Sequence, residues 1–205
     1  MRSRAWIWSI PVAGLTGFIV LLLRGAIDLA DDTPSDVEQL SSAAMLSYHY
    51  WLIAAYVMPI PGFMIIYMES LSRNKSSVIS FVGLVLLVWG TALALPALGN
   101  LAFIPPAINN IEAGGARLGM VIVREAIVGP GMPLGIVAAM SYTLGAILLA
   151  GTVWQYFQRA KPAALLFGVH GLLLSFGFSF YPMLLAGWLA LMAGGTGIAM
   201  SLRRE

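Results

Sequence analysis

VISFVGLVLLVWGTALALPALGN, Val78 to Asn100, runs for twenty-three residues without a single charged or histidine side chain. At about 1.5 Å per residue, a helix of that length reaches about 35 Å, enough to cross a hydrocarbon core of ~30 Å. The rest of the chain has the same character. Its 205 residues are 60% hydrophobic and 10% charged, with a mean hydropathy of +0.88. Soluble domains carry about 25% charged residues, so a single soluble core cannot hide this much apolar side chain. The composition predicts an all-α polytopic integral membrane protein, with one membrane domain over residues 1–205 and no linker or soluble appendage.

Working outward from 78–100, apolar runs long enough to cross fall at 5–29, 46–70, 133–157, 163–181 and 183–202, which makes a bundle of six transmembrane helices. The first run could imitate a signal peptide, but it exceeds the ~7–15-residue apolar region of such a leader and is read as a span. The last two spans nearly touch. Tyr181-Pro182 is expected to turn the chain between them, because proline cannot continue a helix and restrains the residue before it.

Lysine and arginine set the orientation. Arg2, Arg4, Arg73, Lys75, Arg159, Lys161, Arg203 and Arg204 fall on one side, and only Arg24, Arg117 and Arg124 on the other. The first side is expected to be cytoplasmic, giving N-in/C-in topology in a cell membrane of the bacterial inner-membrane type. Between spans three and four, Pro105-Pro106 and Gly114-Gly115 are expected to break helix. RLGMVIVREAIV, Arg117 to Val128, can then form about three turns of an outer interfacial helix before span four.

There is no cysteine, which removes disulfides, thiolate metal sites and cysteine nucleophiles. The net charge of +2 is spread in pairs between apolar runs, so no nucleic-acid partner is expected. Expected partners are the lipid bilayer, a small apolar ligand, and a membrane-protein partner or a second copy of the chain. No cofactor or metal is expected.

Charges should lie at the membrane margins. Arg24 and Asp28 are one helical turn apart at the outer rim of span one, and Glu69 can pair with Arg73 at the inner end of span two. An almost chargeless middle weighs against a proton relay or a voltage sensor. Of the two histidines, His49 sits in MLSYHYW, an aromatic belt near the outer surface. His170 lies deeper, and the two differ in height by roughly 15 Å, so one haem iron cannot bridge them. H-E-x-x-H, a nucleophile elbow and a P-loop are all missing.

The strongest positive feature is YVMPIPGFM, Tyr56 to Met64. Pro59 and Pro61 lack amide hydrogens, so the carbonyls of Ala55 and Val57 lose their helical donors and the helix should bend. Freed carbonyls in hydrocarbon must find partners, which is how broken helices come to line cavities. The expected ligand-binding residues are Tyr56, Pro59, Pro61, Thr91, Asn100, His170 and Ser175, bounding a pocket between spans two, three and five. No catalytic residue is assigned.

Small residues at helical spacing, Gly171, Ser175 and Ser179 in span five and Gly131, Gly135 and Ala139 in span four, provide ridges for close helix packing. The chain is read as noncatalytic, binding or conducting a small apolar or amphipathic molecule. The alternatives are an accessory subunit using those ridges and a Trp188-rimmed span six, or an intramembrane enzyme centred on His170. The enzyme would require a carboxylate or hydroxyl within about 3.5 Å of the imidazole.

Overall fold

A computed structural model describes residues 2–26, 42–72, 78–111, 116–177 and 180–204, and these are all-helical, with no strand among them. A 3-10 turn, Arg2–Trp8, leads into α1 (Ser9–Arg24). There follow α2 (Ala43–Val57), α3 (Ile60–Ser72), α4 (Val78–Ile111), α5 (Ala116–Val128), α6 (Gly131–Tyr156), α7 (Lys161–Phe176) and α8 (Tyr181–Arg204). Five stretches are long and apolar enough to cross a membrane: Arg4–Arg24, Ala44–Ser72, Val78–Ile111, Gly131–Tyr156 and Tyr181–Arg203.

The sixth expected span, 163–181, is shorter than the sequence suggests. Helix α7 has sixteen residues, about 24 Å of rise, because the chain leaves the helix after Phe176. The turn also falls earlier than expected. The Phe180 amide bonds the Gly177 carbonyl at 2.9 Å, and Tyr181 and Pro182 already form the first turn of α8. A proline there removes an amide that has no intrahelical acceptor, so Pro182 starts a helix instead of ending one.

Pro105 and Pro106 likewise fail to break helix. They lie inside α4, which continues to Ile111. Pro105 is buried against α5, where a Cβ added to Gly119 would stand 2.7 Å from the Pro105 Cα. Tertiary contact with α5 thus holds a segment that local propensity alone would end. Residues 112–115, which include the expected Gly114-Gly115 break, lie outside the described residues.

Pairwise packing closes the bundle into a ring that follows chain order. Helix α1 packs on α2, α2 on α4, α4 on α6, α6 on α7, α7 on α8, and α8 returns to α1. Lipid tails are as apolar as the side chains, so close fit between helices has to replace hydrophobic driving force. Glycines supply that fit at the seams. A Cβ at Gly90 would fall 2.5 Å from the Tyr142 amide nitrogen, and one at Gly14 would fall 2.4 Å from that of Met192. The outside of the ring carries exposed Leu15, Ile19, Leu22, Met64, Val85, Trp89, Leu144 and Leu165, a surface that water would reject and lipid would accept.

At Met58–Pro59 the hydrogen-bonded helix is interrupted between α2 and α3. The interruption is narrow. Met58 keeps helical angles of φ −55° and ψ −35°, its amide bonds Ala54 at 2.8 Å, and Phe63 bonds the Pro59 carbonyl at 3.0 Å. Helix α3 therefore begins with exposed donors inside the bundle. Ser9 of α1 supplies an acceptor: its hydroxyl takes the Gly62 amide at 3.0 Å. A Cβ on Gly62 would lie 2.4 Å from Ile10 Cγ1, so only glycine lets α1 come this near.

Glu69 does not rely on its own helix. Arg4 clamps it in a two-pronged pair, Nε to Oε1 at 2.7 Å and an η nitrogen to Oε2 at 3.0 Å, and also reaches the Leu202 carbonyl at 3.3 Å. The planar guanidinium matches a carboxylate in a way no point charge can. It joins the start of the chain, α3 and the end of α8. The expected partner, Arg73, lies outside the described residues, as does Asp28.

Candidate functional site

At the centre of the ring, six aromatic or imidazole rings touch in series. Trp188 of α8 meets Tyr56 of α2 edge-on at 5.0 Å between centroids, and Tyr56 meets Tyr142 of α6 at 6.5 Å. Tyr142 meets His170 of α7 at 5.6 Å, His170 meets Phe167 at 4.8 Å, and Phe167 meets Phe63 of α3 at 5.6 Å. All six are buried. Each edge-to-face contact is worth roughly 0.5–1.5 kcal/mol beyond area burial, so the series binds five helices to one another.

The geometry fixes the His170 tautomer. Nδ1 faces the Phe167 carbonyl of its own helix, which can only accept, so Nδ1 carries the proton. Nε2 is then an acceptor, and the Tyr142 hydroxyl donates to it at 3.2 Å. A hydroxyl thus lies within the distance an enzyme centred on His170 would require. Both imidazole nitrogens are engaged and the residue is 0% exposed.

Of the residues expected from sequence, Tyr56 and His170 come together through Tyr142. Ser175 lies beside them in a polar seam between α6 and α7. Thr143 Oγ1 is 2.8 Å from Ser175 Oγ and 3.2 Å from the Gly171 carbonyl, while Ser175 donates to the Ala139 carbonyl at 3.0 Å. Thr91 is buried but turns its hydroxyl back to Leu87 of its own helix at 2.8 Å, a common use of threonine in a helix. Pro59 and Pro61 mark the α2–α3 junction. Asn100 is half-buried on α4, with no contact that joins it to the ring series.

Sequence reasoning missed Tyr142, Phe167, Phe63 and Ser9. Tyr142 carried a signal, since a phenol inside a long apolar span needs a partner for its hydroxyl. Phe167 and Phe63 read as ordinary apolar residues. Trp188 was expected on an outer contact surface of span six but is 1% exposed. Gly17 of α1 lies against its indole, and a bulkier residue there would push the ring away.

A second layer lies nearer the end of the bundle where α1 finishes and α2 and α8 begin. Arg24, His49 and Tyr181 occupy it, each seven residues from a member of the deeper layer formed by Gly17, Tyr56 and Trp188. Seven residues make two turns, about 10 Å. The Tyr181 hydroxyl donates to the Leu21 carbonyl at 2.6 Å, and Arg24 lies within electrostatic reach of Tyr181, Tyr56 and His49. His49 turns inward where its neighbours turn outward. Tyr50 and Trp51 are exposed, but His49 is 1% exposed. Its Nδ1 bonds the Met45 carbonyl at 2.9 Å, and its Nε2 is buried with no hydrogen-bond partner among the described residues.

Comparison with protein-family models, with curated proteins and with solved structures finds no match.

Proposed function

We propose that the chain is a multi-pass membrane protein of six crossings, with both ends on the cytoplasmic side, that binds a small apolar or amphipathic molecule near the α2–α3 junction and performs no covalent chemistry on it. One observation carries the reading. The junction at Met58–Pro59 begins two residues after Tyr56, and Tyr56 joins the buried ring series of four further helices. Interrupted helices at depth are where membrane proteins place ligand-binding backbone and polar groups. The deep layer is aromatic and uncharged, and the layer above it holds Arg24, His49 and Tyr181, so an apolar body and a polar end both find matching surroundings. For the sixth crossing, α7 with its flanking turns packs between the longer α6 and α8.

The test is purification in lipid nanodiscs followed by native mass spectrometry and identification of retained small molecules. A bound amphiphile that is lost in Tyr56→Ala supports the reading; a wild-type protein that neither retains nor takes up any apolar molecule refutes it. Orientation is checked separately. The chain has no cysteine, so single cysteines placed at Ser3 and Glu205 should both react with an impermeant maleimide only from the cytoplasmic side.

One observation favours a partner as well. The first turns of α6 stand clear of the bundle, with Met132, Leu134, Ile136 and Val137 exposed and nothing within 4 Å of a Cβ at Gly135. A second membrane helix fits a small-residue notch of this kind. Crosslinking from a cysteine at Gly135 distinguishes a protein neighbour from lipid.

A further inference from the structure

The His49 Nε2, which has no partner among the described residues, makes a specific demand. The Met45 carbonyl can only accept, so the imidazole proton sits on Nδ1 and Nε2 presents a bare lone pair. A buried acceptor left without a donor costs free energy, and native structures rarely tolerate it. The missing group must therefore bring an O–H or N–H. It must also reach a level of the bundle flanked on its lipid side by exposed apolar residues, Leu22 and Leu23 of α1 and Tyr50 and Trp51 of α2.

We propose that His49, in the layer it shares with Arg24 and Tyr181, is the hydrogen-bond acceptor for the hydroxyl of an amphiphile whose alkyl chain lies along α1 and α2. This rests on the reading of the chain as an amphiphile binder and names the headgroup chemistry that the site selects. Apolar body and polar end have separate tasks: the lipid-facing side chains contribute contact without selectivity, and Nε2 distinguishes a donor headgroup from one that has none. A site built around one buried polar atom rejects a ligand lacking the matching group far more strongly than an apolar pocket rejects a missing methylene.

The experiment uses the full chain in nanodiscs labelled with 15N-histidine, titrated with 1-dodecanol and with dodecyl methyl ether, which lacks the donor. The expected result is a shift of the His49 Nε2 resonance with the alcohol alone, and binding of the alcohol about tenfold tighter than the ether. His49→Phe should abolish that preference and His49→Gln, which keeps an acceptor, should retain it. If His49→Phe does not fold, the comparison of the two probes on the wild-type protein decides by itself. Equal binding of alcohol and ether, or an Nε2 resonance that responds to neither while both bind, means a water only at Nε2 and overturns the assignment. Failure of both probes to bind overturns the amphiphile reading with it.

Discussion

Replacing Gly17 by alanine tests whether the ring series is a rigid element or a loose collection of side chains. A Cβ at Gly17 would stand 2.3, 2.4 and 2.6 Å from Cδ2, Cε3 and Cε2 of Trp188, where ordinary contact begins at 3.4 Å. The indole must therefore withdraw by about 1 Å, but Tyr56 is in edge contact with it at 5.0 Å. Overpacking of a filled interior costs ~1–3 kcal/mol, and disturbing the Tyr56 contact adds about 0.5–1.5 kcal/mol. Alanine returns up to about 1 kcal/mol of helix propensity. The expected net loss is about 2 kcal/mol, read as the shift in reversible unfolding in mixed micelles followed by far-ultraviolet circular dichroism. Gly135→Ala is the matched control, since nothing stands within 4 Å there, and it should be neutral or slightly stabilising. Trp188→Ala removes every ring atom that clashes, so the double variant with Gly17→Ala should recover about 1 kcal/mol relative to additivity. If Gly17→Ala unfolds with the wild type, or loses as much when Trp188 is already alanine, the indole is not held against Gly17.

Three further variants probe other joints. Ser9→Ala removes the acceptor of the Gly62 amide and should cost about 1 kcal/mol, with faster hydrogen exchange at Gly62 as the local readout; unchanged exchange refutes the capping role. Thr143→Val deletes the hydroxyl that links Ser175 and the Gly171 carbonyl and should cost roughly 0.5–1.5 kcal/mol in the same unfolding assay. Pro182→Ala should change stability by less than ~0.5 kcal/mol, because this proline occupies a first helical turn. A loss of several kcal/mol would mean that it shapes the preceding turn after all.

Glu69 and His49 show how much of a residue's surroundings lies away from its neighbours in sequence. Glu69 has Arg73 four residues away, the spacing of an exposed helical pair, but the chain brings Arg4 from sixty-five residues off to grip both carboxylate oxygens. His49 stands among tyrosines and a tryptophan, and the belt reading treats all four alike. Helical geometry separates them, turning Tyr50 and Trp51 outward and His49 inward. The prolines also differ: the hydrogen-bonded helix is interrupted at Met58–Pro59 with helical angles kept at Met58, while α4 runs on through Pro105, where α5 packs against it.

By itself the sequence determined the class of the protein. Uncharged runs long enough to cross a bilayer core must, in lipid, become helices that satisfy their own backbone, and five helices of that length and character stand among the described residues. It could not show that the helices close into a ring in chain order, that Tyr142 joins Tyr56 to His170, or that His170 has both ring nitrogens engaged while the His49 Nε2 has no partner among the described residues. Those depend on which faces of which helices meet. In an apolar chain, hydropathy is nearly the same on every face, so the choice rests on where glycine lets backbones approach and where a buried hydroxyl finds an acceptor, and both are properties of the folded whole.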